Sequence, residues 1–317
     1  MRQAVLYFAN WNLNRRPARK GEVCALPWDC ATYLNHAFWV LEPVEGTHEP
    51  SFARRAGKKP ARTDWRIVSL HPECDTEDLA PSALEPELPS SHFAQYAVMH
   101  KRCPSVKILH SIGGWTRCGY FSEMAYTREG RADFIEQCLA LLRRYEWLSG
   151  FDIDWEYPAC ERKGNPADPD GDEGCCVFGT EAEDRENFIL LLAELRAAMD
   201  SAFGPGRKSL TACASGAPVE PERPTWDTLA QEDLLELLQT PGWHSAYDAR
   251  AGGAYLVYDG PDNPFDRWFL SVETTRSLGQ KLDLIRNAEL AGIIVWEASL
   301  DTKNHSFAAQ LRDTLLR

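Results

Sequence analysis

The segment Ser149-Gly-Phe-Asp-Ile-Asp-Trp-Glu-Tyr-Pro158 limits what this chain can fold into more than any other stretch. Asp152, Asp154 and Glu156 alternate with Phe151, Ile153 and Trp155, so a strand gathers three carboxyls on one face and three apolar side chains on the other. Like charges in a low dielectric repel and cannot all ionise, which makes three acids on one side of an apolar strand a costly arrangement. A salt-bridged or metal-bound acidic strand would tolerate it. So would a barrel of parallel strands, where catalytic groups sit on the inward face at the strands' C-terminal ends, and Pro158 with the loop after it marks such an end.

The rest of the chain favours the barrel. Short apolar runs bounded by turn residues alternate with longer segments of helical period, the order of repeated βαβ units. Strands are expected at Ala4 to Trp11, Ala31 to Val40, Lys107 to Trp115, Gly150 to Tyr157, Ser209 to Gly216 and Gly292 to Glu297, each buried on both faces as parallel strands are. Helices are expected between them. Arg131 to Trp147 sets Phe134, Cys138, Leu141, Leu142 and Tyr145 on one face, and Glu181 to Ala202 does the same with Phe188, Leu191, Leu192, Leu195 and Met199.

Charge narrows the partners. With 47 acidic against 34 basic residues the net charge is -13, which argues against a surface built for nucleic acid or anionic lipid and favours a neutral or weakly charged ligand. Eleven Trp, ten Tyr and thirteen Phe are enough to fill a core and still leave flat apolar faces for sugars. No run of 18 apolar residues occurs, and MRQAVLYFANW reads as a strand rather than a secretion signal. The expectation is a cytoplasmic protein as the sequence stands, or a secreted one if a leader has been removed.

Two segments exceed a minimal βαβ unit. Residues 41–105, with Arg54, Arg55, Lys58 and Lys59, read as a loop-rich insertion between the second and third strands, either lining a cleft or simply solvated. The loop Ala159 to Thr180 holds Asp168, Asp170 and Asp172 at alternate positions, like a calcium loop, but Gly179 stands where the bidentate Glu belongs and Pro169 interrupts the spacing. No metal and no cofactor are expected. The ten Cys contain no CxxC pair and read as buried thiols, with Cys160 to Cys175 or Cys176 the one plausible loop-closing disulfide.

The acidic segment resembles the DxxDxDxE motif of glycoside hydrolase family 18, the chitinases and their relatives. Tyr7-Phe-Ala-Asn-Trp11, Ala37-Phe38, His110-Ser-Ile-Gly-Gly-Trp115 and Gly292-Ile-Ile-Val-Trp-Glu297 resemble the family's first, second, third and eighth barrel strands, in that order. The resemblance implies a TIM-type (β/α)₈ barrel and a single catalytic domain over residues 1–317. It implies substrate-assisted retaining cleavage of β-1,4-linked N-acetylglucosamine polymers, with Glu156 as general acid and the substrate's own 2-acetamido oxygen as nucleophile. Asp154 would hold the acetamido N–H and stabilise the oxazolinium ion. Asp152 would share a proton with Asp154 and accept from Ser111, beside Gly114. Trp296 would floor the subsite of the reacting sugar with Tyr7, Phe38 and Tyr157 as its walls, and Trp115 would extend the platform to the leaving side.

The resemblance breaks in two places. Ser149 replaces the first Asp of the motif, a mild change. More seriously, no Met is followed by x-Tyr-Asp, so the family's sixth-strand MxYD motif is absent, as is a seventh strand ending near GxPxYG. Residues 218–291 are too short for two strands, two helices and an inserted lobe; they read as a Pro-rich loop from Pro218 to Pro224, an acidic helix near Asp227 to Gln239, and a strand pair at Ala254 to Tyr258 and Trp268 to Val272. The inference is an incomplete barrel of about six recognisable strands, with the junction at Ser215 to Val219 and unpaired edges that favour self-association. Three readings follow: a chitinase-type hydrolase impaired by the deletion, a chitooligosaccharide-binding lectin on the same scaffold, or a truncated product that folds poorly. Action on an N-glycan core, as an endo-β-N-acetylglucosaminidase, is the alternative substrate.

Overall fold

The computed structural model describes residues 2–12, 21–47, 63–77, 80–165, 171–214, 231–260 and 269–317. Along the chain the strands are β1 (Gln3–Ala9), β2 (Tyr33–Pro43), β3 (Trp65–Ser69), β4 (Lys107–Gly113), β5 (Leu148–Asp154), β6 (Arg162–Lys163), β7 (Gly174–Cys175), β8 (Ser209–Ala212), β9 (Trp243–Asp248), β10 (Gly253–Tyr258), β11 (Phe269–Val272) and β12 (Gly292–Val295). The α-helices are α1 (His92–Arg102), α2 (Phe121–Tyr126), α3 (Arg128–Arg144), α4 (Glu181–Phe203), α5 (Gln231–Leu237), α6 (Thr275–Asn287) and α7 (Ser306–Leu311). None of the described helices is long and apolar enough to cross a membrane.

The chain divides into two compact units. One comprises Met1–Phe8, Asn12–Leu34 and Thr225–Arg317; the other comprises Ala9–Trp11 and Asn35–Pro224. In the second unit β2, β4, β5 and β8 lie side by side in that order, β4 and β8 both parallel to β5, while β3 folds back antiparallel on β2. Helices α3 and α4 cover this sheet for reasons visible locally. Thr127 caps α3 by accepting from the Gly130 amide, and Thr180 with Glu183 forms a capping box at the start of α4. Phe134, Cys138 and Leu142 of α3 and Leu191, Leu195 and Met199 of α4 are buried, and Arg131 ties the two helices by a double hydrogen bond to Glu194, 2.9 Å at each oxygen.

In the first unit β1 and β12 pair in parallel, Gln3 opposite Gly292 through Leu6 opposite Val295. Ala4 packs there with Leu278, Leu282 and Ile285 of α6 and with Leu311 and Leu315 near the C-terminus. Strands β9, β10 and β11 form a separate antiparallel sheet whose Trp243 and Leu256 bury Leu234 of α5.

Six parallel strands, β1, β2, β4, β5, β8 and β12, thus stand where six were expected, and the fold is an incomplete TIM-type barrel. Among the described residues no parallel strand lies between β8 and β12 in sequence. The stretch is occupied instead by α5 and the β9 to β11 sheet, whose first strand the sequence did not suggest. The junction at Ser215 to Val219, the Pro218 to Pro224 loop and the basic cluster at Arg54 to Lys59 lie outside the described residues. The remainder of the insertion is not all loop: it contains β3 and α1.

Two expectations need correction. Burial on both faces holds for β4 and β5 but fails for β8 and β12; Ile294 is 62% exposed, as expected of strands lacking a neighbour. All ten cysteines are free thiols, so neither Cys160 to Cys175 nor Cys160 to Cys176 is bridged. Cys175 instead lies against Cys118, and these two thiols reach the Tyr157 and Glu156 carbonyls at 3.5 and 3.2 Å.

Candidate active site

Alternation along β5 delivers the expected sidedness. Phe151, Ile153 and Trp155 are fully buried on the helix side, Trp155 stacked on Phe121 with ring centroids 5.8 Å apart. Asp152 and Asp154 point the other way, 2% and 1% exposed. The strand stops at Asp154, however, three residues earlier than expected. Glu156 therefore sits in the turn beyond the strand, only half-buried, where it has room to face a ligand.

Asp152 lies between its register partners on both sides. Ser111 on β4 donates to Oδ2 at 3.0 Å and Thr211 on β8 donates to Oδ1 at 2.6 Å, while Asn35 on β2 donates to Oδ2 at 2.9 Å. This donor set suits a carboxylate. Asp154 has the opposite environment: burial, then the Asp152 charge, then the hydrogen bond between the two acids, hold its carboxyl well above the usual range. Burial and the neighbouring acid thus disfavour the ionised form of Asp154. Its Oδ1 is buried and has no hydrogen-bond partner among the described residues.

Glu156 is raised to about 6, chiefly by burial and further by Asp152, against the opposing pull of the Tyr157 hydrogen bond and the Arg162 charge. Such a carboxyl keeps its proton under mildly acidic conditions and can hand it to a bound oxygen. Its loop is anchored from α4, since Asp184 accepts from the Ala159 amide at 3.2 Å and from Ser122 at 2.5 Å.

The aromatic residues fall into the two units. Phe38 stacks on Trp11 with centroids 6.2 Å apart, and its ring presses against Gly114, where a Cβ would come within 2.7 Å of it. Gly113 is equally constrained, with the Asp154 carbonyl 2.5 Å from where a Cβ would stand; both glycines have positive φ. The half-exposed Trp115 meets Tyr157 edge-on at 6.4 Å. In the other unit Tyr7 and Trp296 lie together, centroids 5.6 Å apart, Tyr7 buried and Trp296 44% exposed. Glu297, beside Trp296, is used structurally: it accepts from Asn12 and Ser299 and caps the turn after β12.

Sequence reasoning missed Asn35, Thr211 and Arg162. Asn35 and Thr211 are short polar residues in otherwise ordinary strands, and only their register opposite the acids identifies them. It also missed a buried cluster of His36, Asp75 and His92, whose ligand atoms lie within 4.8 Å of one another. That cluster has its donors already: Asp75 Oδ1 lies 3.0 Å from both His92 Nδ1 and His36 Nε2, and Oδ2 accepts from Asn10, Trp39 and Ser69 at 2.9, 2.7 and 2.6 Å. It is a buried anion satisfied by protein donors. Of the three alternating acids in the 159–180 loop, Asp168 and Asp170 lie outside the described residues, and Asp172 is committed to Arg162.

The family model described as "Glycosyl hydrolases family 18" matches residues 3–223. Chitinase 2 of Yersinia entomophaga is 34% identical over 140 residues, 44% of this chain and 20% of that protein, so the chain spans only a small part of that relative. The solved structure of chitinase ChiA74 from Bacillus thuringiensis superposes with a TM-score of 0.70 at 19% identity, over 99% of this chain and 70% of that one. A GH18 chitinase from Cycas revoluta in complex with (GlcNAc)3 superposes with a TM-score of 0.62 at 15% identity, over 98% and 99% of the two chains.

Proposed function

This chain belongs to glycosyl hydrolases family 18, and from that premise we propose that it hydrolyses β-1,4-linked N-acetylglucosamine polymers by substrate-assisted retaining catalysis. The observation that carries the reading is the separation of environments among three neighbouring acids: Glu156 raised to about 6 in the turn, Asp154 raised by burial and by Asp152, and Asp152 supplied with three donors. A pure binding site has no use for a raised carboxyl at that point.

In this mechanism Glu156 donates its proton to the glycosidic oxygen as the bond to the anomeric carbon breaks, and the substrate's acetamido oxygen attacks that carbon. Asp154 Oδ1, the buried acceptor without a partner, takes the acetamido N–H and so aims the oxygen. As positive charge develops on the oxazolinium ion, the Asp152–Asp154 pair stabilises it without reorganisation, because Ser111, Asn35 and Thr211 already hold Asp152 in place. Glu156, now a carboxylate, accepts a proton from the water that opens the ring, restoring the starting state. The structure with bound (GlcNAc)3 supports an N-acetylglucosamine oligosaccharide as the ligand.

A lectin is the second reading, and the missing sixth-strand Tyr favours it, since no residue is identified to clamp the acetamido oxygen. Incubating the chain with an aryl chitobioside and with chitotetraose tests the two. Release of the phenol or shorter sugars supports the hydrolase, whereas chitotetraose affinity without cleavage supports the lectin.

A further inference from the structure

Trp115 has one ring face already covered. The Arg162 guanidinium lies over it, with Cζ 4.1 Å from the ring centroid, and also donates to the Trp115 carbonyl. Arg162 is itself locked: its Nη1 and Nη2 pair with Asp172 at 2.6 and 2.9 Å, the two side chains being 9% and 6% exposed. Asp172 Oδ1 also accepts from the Gly174 amide at 2.9 Å, and the Glu173 amide donates to the Thr116 carbonyl at 2.9 Å, which fastens this hairpin to the loop carrying Trp115. A fork-shaped, planar cation suits this double task of pairing and stacking, and lysine does not reproduce it.

A buried ion pair is weak evidence for stability, because desolvation offsets most of its attraction. Its geometric consequence is clearer. We propose that Arg162, seated by Asp172, is a positioning residue that covers one face of Trp115 and fixes the ring as a one-sided platform for the leaving-side sugar. The inference rests on the hydrolase reading of the site and deepens it. Arg162 also bears on Glu156, which is faced by Asp152, Asp154, Tyr157, Cys118, Cys213 and Arg162; of these Arg162 is the one cation, and it opposes the upward push of burial on that carboxyl.

The test compares Arg162→Lys and Arg162→Met on chitotetraose and on chitobiosyl fluoride, whose small leaving group does not reach Trp115. Arg162→Lys keeps the charge and loses the planar stack, so kcat/KM for chitotetraose falls about tenfold through KM while the fluoride changes less than about twofold. Arg162→Met does the same and also moves the alkaline limb of the pH profile to higher pH, because a cation that favoured the Glu156 carboxylate is gone. If both variants keep the parent ratio between the two substrates, the proposal is overturned. A parent that cleaves neither substrate defeats the catalytic reading alone. Calorimetry with chitotetraose then decides the platform: affinity at least about fivefold weaker in Arg162→Lys sustains it, and unchanged affinity or no binding by the parent rejects it.

Discussion

Thr211 Oγ1 donates to Asp152 Oδ1 at 2.6 Å from the register-paired position on β8, so the outermost described strand of that sheet completes the donor shell of a candidate active-site acid. Thr211→Val keeps the shape and removes the donor. A hydrogen bond to a charged group contributes about 1.5–3 kcal/mol, so kcat on chitotetraose is expected to fall roughly tenfold or more with little change in KM. Steady-state kinetics check this, and an unchanged kcat removes Thr211 from the machinery.

Glu156→Gln is expected to retain the fold and the affinity for chitooligosaccharide while lowering turnover by at least ~100-fold, the usual worth of a general acid. Because the proposed mechanism has Asp154 hold the acetamido group, Asp154→Asn is expected to be severe and Asp152→Asn milder. Equal losses at Asp152 and Asp154 would show that the roles within the pair are wrongly assigned.

With protonated Glu156 as the proposed general acid, kcat/KM is expected to decline as pH rises through about 6. The same shift affects stability. A carboxyl raised on folding binds its proton more tightly in the native state, so its contribution is full below the unfolded value and is lost as pH rises through about 6. The urea midpoint of Glu156→Gln should therefore exceed that of the parent at pH ~7.5 and converge with it near pH ~4. A constant difference across that range contradicts the assignment.

Asp75 is fully buried and accepts from His92, Asn10, Trp39 and Ser69, which link α1, the residue after β1, β2 and β3. Asp75→Leu strands these donors, and breaking a buried charged network costs about 3–5 kcal/mol. Denaturant unfolding should register that loss. A change below about 1 kcal/mol would mean that water replaces the carboxylate.

That no parallel strand lies between β8 and β12 among the described residues also has a consequence. Ile294 on β12 and Ile189 on α4 are 62% and 67% exposed, and β8 and β12 each have an edge without a partner strand among the described residues. Self-association that grows with concentration is expected in sedimentation velocity. Turnover is expected to be roughly 10²- to 10³-fold below that of a chain given a family-like block between Gly216 and Pro218, by analogy with a lost oxyanion donor. A monomer whose rate the block does not raise contradicts the deletion.

Period-two alternation made Asp152 and Asp154 readable from sequence because every residue of β5 feels the same pleat. It misplaced Glu156 by extending the strand to Tyr157, since nothing in Asp-Trp-Glu-Tyr-Pro distinguishes strand from turn. Ser111 was legible only through the resemblance of His110-Ser-Ile-Gly-Gly-Trp115 to the family's third strand. Asn35 and Thr211 were not, because their role arises from register across strands far apart in the chain. Arg162 was hidden for the same reason: its partners Trp115 and Asp172 meet it only after the hairpin closes. The exposure of β12 was masked by its apolar sequence, which looks like an interior strand whether or not a neighbour is present.

The central claim is that this chain cleaves N-acetylglucosamine oligomers with the substrate's own acetamido group as nucleophile. Proton NMR of chitotetraose during the first minutes of digestion tests it most directly, because the anomer formed is seen before mutarotation. The account predicts new reducing ends in the β configuration, formed by the parent and suppressed in Glu156→Gln. New ends in the α configuration, or intact chitotetraose bound by both proteins, would contradict it.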